Sequence, residues 1–134
     1  MIVVDTNVIA YLILQGTHTS VASVTLQKDP DWVAPLLWKS EFRNVLTTYM
    51  HKGSLSLRKA FQFMENAEYL MWGTAFEVES SHVLDLAANS PCSAYDCEFV
   101  ALAEDLGIPL ITTDQKILSS FPSIAISLES FVGR

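Results

Sequence analysis

The hydrophobic pattern begins with a short apolar run that ends in an acid. Residues 2–4 are apolar and lead directly to Asp5, which is followed by two small polar residues. A second apolar run, at 108–112, leads to Asp114 near the other end of the chain. Runs this short and continuous, bounded by polar residues, are typical of strands buried on both faces of a sheet. Both runs therefore predict buried strands, at 2–5 and 108–112, that present an acid at their carboxyl ends.

The rest of the pattern alternates helices with short strands. Helices are predicted where apolar residues recur every three or four positions and where glycine or proline ends the recurrence. They cover residues 6–14, 20–28, 36–52, 57–67, 80–88, 94–106 and 115–119, with a brief helical tail after 127. Further strands are predicted at 32–34, 69–72 and 123–127. This alternation predicts an α/β sandwich with a mostly parallel sheet, in which ligands bind beyond the carboxyl ends of the strands.

Length and composition fit one domain over residues 1–134. Half of the residues are hydrophobic and the mean hydropathy is +0.29, which in a small chain indicates an extra buried surface such as a dimer interface or a partner groove. No apolar stretch is long enough to span a bilayer. No leader-like segment precedes the first strand, so we expect a cytoplasmic protein without a membrane partner.

Cysteine and histidine give no metal or disulfide pattern. Cys92 and Cys97 match no zinc spacing and are predicted to be small core residues. The three histidines are scattered along the chain and are predicted to lie at the surface or at helix ends.

The charge balance is acidic. Eight basic and 15 acidic residues give a net charge of −7, whereas nucleic-acid binders usually show the opposite balance. A nucleic-acid interpretation therefore requires a metal or a local basic patch to offset the acid.

Four acids stand out, and each has a purely structural alternative. Asp5 and Asp114 are placed to cap the helices that follow them. Asp96 forms a capping-box pattern with Ser93. Glu41 has the ordinary alternative of a solvated helix residue.

The helical faces of two of these acids favour a different interpretation. Asp96 continues the apolar stripe that contains Phe99, and Glu41 shares a face with Trp38 and Val45. An acid within an apolar stripe is costly unless it is paired or binds a cation. Clustered carboxylates also raise one another's pKa unless a cation neutralises them. Oxygen ligands without histidine or thiolate favour Mg²⁺ or Mn²⁺ over zinc.

Four segments, taken in order, resemble the PIN-domain ribonucleases, of the small single-domain kind typified by the VapC toxins of bacterial toxin–antitoxin pairs. They are Val4-Asp5-Thr6-Asn7-Val8, residues 40–46 (Ser40 to Leu46), residues 95–103 (Tyr95 to Ala103) and Ile111-Thr112-Thr113-Asp114. No single motif is specific, but the ordered set covers essentially the whole chain. The resemblance implies one PIN domain with a three-layer α/β/α sandwich and a central sheet of about five strands.

The resemblance also implies the site. Its catalytic and metal-binding residues would be Asp5, Glu41, Asp96 and Asp114, with one or two Mg²⁺ (or Mn²⁺) ions as cofactor. Asn7, Thr112 and Asn44 match supporting positions that orient the carboxylates. Glu98 falls on a different helix face from Asp96 and is not included.

The implied reaction is endonucleolytic hydrolysis of RNA, with a structured RNA such as tRNA or rRNA as the expected substrate and with a 5′ phosphate and a 3′ hydroxyl as products. Lys39, Arg43 and Lys116 are candidate RNA contacts, with Arg58 and Lys59 at the start of the next helix as further candidates. The alternative for each of these basic residues is a role in surface solubility.

The family's usual partners are a second copy of the chain and an inhibitory antitoxin. The predicted helices 36–52 and 57–67 form a candidate antitoxin groove, with a plain core role as the alternative for most of its apolar side chains. Those side chains are Trp38, Phe61, Phe63 and Met64.

The chain lacks the motifs of other enzyme and binding-domain classes. A haloacid-dehalogenase-type enzyme requires an acid where Asn7 stands, a receiver domain requires adjacent acids after the first strand, and the chain has neither a P-loop nor a glycine-rich dinucleotide turn. Two alternatives stay open: a solitary PIN nuclease that processes RNA without an antitoxin, and a non-catalytic PIN-like interaction module. The presence of all four acids favours catalysis.

Overall fold

The computed structural model describes residues 1–133, and its strands and helices alternate along the chain. The strands are β1 (Ile2–Val4), β2 (Trp32–Pro35), β3 (Ala75–Phe76), β4 (Leu110–Thr112) and β5 (Ala125–Ser127). The helices are α1 (Thr6–Ile13), α2 (Thr19–Lys28), α3 (Leu37–His51), α4 (Leu57–Leu70), α5 (Ser80–Ala88), α6 (Ala94–Leu106), α7 (Gln115–Ser120) and α8 (Leu128–Val132).

The five strands form one parallel sheet in the order β3-β2-β1-β4-β5. Strand β1 lies at its centre, where Val3 pairs with Val33 on one side and with Leu110 on the other. Strands β1, β2 and β4 are fully buried, as continuous apolar strands of a parallel sheet should be. The predicted α/β sandwich with a five-stranded sheet is confirmed.

Helices cover both faces of the sheet. Helices α1, α2, α3, α4 and α8 pack on one another and reach β2, β4 and β5, whereas α6 packs on β1, β2 and β4 and takes α5 as its helical neighbour. The two groups share β2 and β4 and pack mainly within themselves, as helices on opposite faces of a sheet do. Cys92 and Cys97 are free and buried, which confirms their predicted place in the core.

One predicted strand is wrong. Residues 69–72 belong to the end of α4 and the turn after it, and the edge strand is β3, at Ala75–Phe76. Helix α4 continues because Ala67 and Met71 extend its buried stripe, while Tyr69 and Trp72 are 88% and 84% exposed. That spacing of buried residues is helical, and a strand would bury alternate positions instead.

Helix α6 has the bounds that the sequence predicted. Helix α6 begins after Ser93, whose hydroxyl accepts a hydrogen bond from the Asp96 N–H, and ends at Gly107 in the left-handed conformation, a backbone state that glycine adopts without steric cost. Across the described residues, no helix combines the length and the apolar character that a membrane crossing needs.

Candidate active site

A cleft of about 410 Å³ opens beyond the carboxyl ends of the central strands, and all four predicted acids line it. Asp5 follows β1 and Asp114 follows β4, while Glu41 and Asp96 lie near the starts of α3 and α6. The four acids therefore come from four separate segments. They meet because the carboxyl ends of parallel strands share one edge of the sheet.

Asp5 is held by hydrogen bonds to both of its carboxylate oxygens. The Thr6 N–H donates to Oδ1 at 2.8 Å, and the Thr112 hydroxyl donates to Oδ2 at 2.7 Å. The first bond is local and accompanies the start of α1, so Asp5 caps that helix. The second bond joins the end of β4 to the residue that follows β1. Asp5 is thus both a cap, as the structural alternative proposed, and a member of the cleft.

Glu41 is fixed by a hydroxyl from α1. The buried Thr6 side chain donates to Glu41 Oε1 at 2.7 Å. Thr6 therefore contacts two of the acids, Asp5 through its backbone N–H and Glu41 through its hydroxyl. This pair of contacts ties the orientation of the α3 carboxylate to that of the β1 carboxylate.

The remaining two acids lie at helix starts. Asp114 Oδ1 accepts the Ile117 N–H at 3.0 Å and caps α7, and the Asp114 N–H donates to Thr112 Oγ1 at 3.0 Å. Asp96 is half-buried in the first turn of α6. The amino ends of helices carry partial positive charge and favour carboxylates, so the helix ends offset part of the acidic charge.

Burial and mutual repulsion disfavour the charged forms of two acids. Burial raises the pKa of Asp5, and the charges of Asp96 and Asp114 raise it further, against the hydrogen bonds from Thr112 and Thr6. Burial likewise raises the pKa of Glu41, with Asp5, Asp96 and Glu98 adding to the shift and the Thr6 bond opposing it. Both carboxylates would gain from a cation in the cleft.

The cleft suits a divalent cation by its chemistry but does not present a closed ligand shell. Within residues 1–133, no group of three or more His, Cys, Asp or Glu side chains is arranged so that it could hold a metal ion. Of the described residues that line the cleft, none is basic. Carboxylates that repel one another and have no internal cation offer the hard oxygen ligands that Mg²⁺ and Mn²⁺ take.

The predicted supporting residues occupy different positions. Thr112 is buried and donates to Asp5, as described above. Asn7 and Asn44 both line the cleft and are exposed. Glu98 lies in a separate depression beside Leu36 and Phe76 and is outside the cleft lining.

The predicted RNA contacts lie away from the cleft walls. Lys39 pairs with Glu68 of α4 at 3.3 Å, and Arg43 and Lys116 are exposed. None of these three is among the described residues that line the cleft.

Sequence reasoning missed several residues of the cleft wall. Ser40 and Tyr95 are exposed there, and Leu37 and Val45 supply apolar wall. Ser40 and Tyr95 could have been found from the sequence, because each directly precedes a predicted acid. The Thr6–Glu41 contact had no such signal, since the two residues are 35 positions apart.

Several solved structures share this fold. No curated protein matches the chain. Among solved structures, PAE2754 from Pyrobaculum aerophilum aligns with a TM-score of 0.78 at 19% identity, over 98% of this chain and 92% of that one. FitAcB from Neisseria gonorrhoeae aligns with a TM-score of 0.76 at 15% identity, over 96% and 98%. FitAB bound to an IR36 DNA fragment aligns with a TM-score of 0.72 at 18% identity, over 96% and 95%.

The sequence itself matches one family. The model of the PIN domain family matches residues 2–122. PIN domains are in general nucleases, and they generally use divalent metal ions. Because the match spans most of the 134 residues, this chain belongs to the PIN domain family.

Proposed function

We propose that this protein is a Mg²⁺- or Mn²⁺-dependent endoribonuclease and the toxin of a toxin–antitoxin pair. One observation carries the proposal: Asp5, Glu41, Asp96 and Asp114 line a single cleft whose described walls contain no basic residue. A structural role for each acid separately does not require them to meet. A phosphodiesterase that uses divalent ions does require it.

The chain's own residues hold the carboxylates in place. Thr112 and Thr6 fix both oxygens of Asp5, Thr6 fixes one oxygen of Glu41, and the start of α7 fixes one oxygen of Asp114. Each carboxylate oxygen has a second lone pair free to face a cation. A divalent ion bound here would lower the pKa of a water molecule and would stabilise the charge on the leaving oxygen.

The acidic surface supports a selective substrate. A net charge of −7 repels nucleic acid in general, so affinity must come from a few contacts around the cleft. Structured RNA such as tRNA or rRNA offers unpaired bases at defined places, which proteins read individually. We therefore propose one site in a structured RNA as the target.

The direct test is cleavage of total cellular RNA by purified protein with and without Mn²⁺. We expect cleavage with a 5′ phosphate and a 3′ hydroxyl at the cut, and its loss in Asp5→Asn and Glu41→Gln. Glu65→Gln is the matched control, because Glu65 is an exposed acid of α4 outside the cleft lining. Equal cleavage by wild type and both cleft variants, or no cleavage of any RNA, would refute the proposal.

The outer face of α4 supports a protein partner. Leu57 and Phe61 are 59% and 60% exposed, and Tyr69 and Trp72 are exposed at the end of the helix, beyond the exposed Glu65. Of the predicted groove residues, Trp38 is in the core, Phe63 and Met64 are half-buried and Phe61 is exposed. We propose that a homodimer, an antitoxin or both cover this surface. Sedimentation should show a dimer that Phe61→Glu weakens; a monomeric wild type would refute self-association.

The toxin role is tested in cells. Expression of wild type should arrest growth, and Asp5→Asn should not. Co-expression of a small protein encoded beside the gene should relieve the arrest. RNA cleavage by purified protein without any growth arrest would favour the solitary nuclease that processes RNA.

A further inference from the structure

A second groove lies directly beside the acidic cleft. It has a volume of about 500 Å³, lies between α1, α3, α4 and the turn before α2, and shares Asn7 and Val45 with the cleft. We call it the aromatic groove, defined by Tyr11, His18, Tyr49, Lys59 and Phe63. A molecule that occupies the cleft can extend into this groove without leaving the protein surface.

Rings from three helices and one helix cap line the aromatic groove. Tyr11 and His18 stack on each other, with ring centroids 4.4 Å apart and planes 33° from parallel. Tyr49 comes from α3 and is 43% exposed, and Phe63 comes from α4. Exposed aromatic faces are the surfaces on which unpaired bases stack.

The groove also differs from the cleft in charge. None of the described residues that line it is acidic, although the chain as a whole carries 15 acids. Lys59 lines the groove, with Nζ 5.8 Å from the centroid of the Phe63 ring. Lys52, outside the lining, has Nζ at the same distance from the centroid of the Tyr49 ring. A lysine that moves from the ring to a phosphate leaves the ring face to a base, so the two groups can bind one nucleotide together.

We propose that the aromatic groove binds an unpaired nucleotide of the substrate RNA, with the base against Tyr49 and Phe63 and the phosphate near Lys59. This inference rests on the proposed RNA substrate. The groove would then supply the affinity that the acidic cleft lacks and would direct a single-stranded segment across the four carboxylates.

The lining favours a nucleotide over an apolar helix of a partner. Asn7, Gln15 and Ser54 line the groove together with the rings and offer hydrogen-bonding groups for a base. The volume is within the range of about 300–1,000 Å³ that small-molecule pockets occupy. Apolar partner surfaces are available elsewhere, on the outer face of α4.

The test measures binding of a short labelled single-stranded RNA and of its duplex by fluorescence anisotropy, with EDTA present so that binding is separated from cleavage. We expect the single strand to bind more tightly than the duplex. Tyr49→Ala should weaken single-strand binding about 5- to 20-fold. Lys59→Ala should weaken it and reduce the salt slope by about 0.7.

Two matched controls lie outside the groove. Lys28→Ala removes the same charge from the exposed end of α2, and Phe76→Ala removes an exposed aromatic ring from β3. Neither residue lines the groove among the described residues, and both variants should bind like wild type. Circular dichroism should confirm the fold of every variant.

The outcomes separate this inference from the proposed function. Mn²⁺-dependent RNA cleavage with unchanged single-strand affinity in Tyr49→Ala and Lys59→Ala would overturn the inference and leave the nuclease proposal standing. Selective single-strand binding without cleavage would support the groove and refute the nuclease. Unchanged RNA affinity together with loss of antitoxin binding in both variants would assign the groove to a protein partner and overturn the inference.

Discussion

Carboxylates come together both in the cleft and between α5 and α6, and the chain gives them different hydrogen-bond partners. Between α5 and α6, His82 contacts Glu104 Oε1 through Nε2 at 2.7 Å and Asp105 Oδ1 through Nδ1 at 3.1 Å. The hydrogen bond to Glu104 raises the pKa of His82, and the charges of Asp105 and Glu104 add to this. In the cleft, Asp5 and Glu41 are held by threonine hydroxyls and backbone instead.

A structural acid cluster and a binding site differ in the groups that the chain supplies to the carboxylates. Where carboxylates join two helices, the chain supplies a side chain that can carry positive charge. Where they line the cleft, the chain supplies only neutral donors, so the pKa values of Asp5 and Glu41 stay raised. Neutral donors orient a carboxylate without cancelling its charge, which leaves that charge available to a cation from solution.

The largest effect should follow when the cleft is given a cation of its own. In Asp96→Lys, an ammonium group would occupy the cleft as His82 occupies the α5–α6 cluster. We expect RNA cleavage to fall about 10³-fold or more, because the cleft then loses both a carboxylate ligand and its affinity for divalent ions. The melting temperature without metal should not fall. Asp85→Lys, on exposed α5 surface, is the control, and retained cleavage in Asp96→Lys would contradict the cleft's role.

The next effect is stabilisation by metal. Mn²⁺ at about 100 times its Kd should stabilise the folded wild type by about 2.7 kcal/mol at neutral pH, seen as a rise in melting temperature. Asp114→Asn should lose most of that rise, while His82→Gln should retain it. A melting temperature that Mn²⁺ leaves unchanged would mean that the cleft does not bind the ion.

A smaller effect concerns Asp5 in the absence of metal. Because its folded pKa is raised, its contribution favours folding below the ordinary pKa of an aspartate and is lost as pH rises through the raised value. Asp5→Asn keeps an oxygen for the cap but carries no charge. We expect its unfolding free energy to exceed that of wild type at pH 7, measured by urea denaturation in EDTA, and to lose this advantage near pH 3. An advantage independent of pH would exclude charge as its cause.

The smallest effect concerns His82. Its pKa is raised, so its stabilising contribution is complete below about pH 6.5 and is lost as pH rises through the raised value. The pairs are partly exposed, so the contribution should be about 0.5 kcal/mol. Denaturation of His82→Gln at pH 5.5 and pH 9 should show a difference from wild type at the lower pH only. A difference of equal size at both would indicate packing instead of charge.

Sequence patterns predicted the alternation of elements and the residues that would meet at one edge of the sheet. Both follow from local signals, since β1 and β4 are apolar runs that lead to acids. The contact between Thr6 and Glu41 was beyond such reasoning, because it depends on how α1 and α3 pack. The aromatic groove was missed for the same reason, since its rings come from separate helices and form no motif. The error at 69–72 arose from an apolar run that suits a strand and a helix end equally well.

The pairing of β1 with β4, which joins Val3 to Leu110, has a consequence for how the protein is made. Strands that lie more than 100 residues apart in sequence must pair before the cleft exists, and contacts of such long sequence separation make folding slow. During synthesis the chain carries Asp5 and Glu41 long before Asp114. Until β4 and Asp114 have been translated, the cleft therefore lacks one of its four carboxylates and one of the strands that shape it.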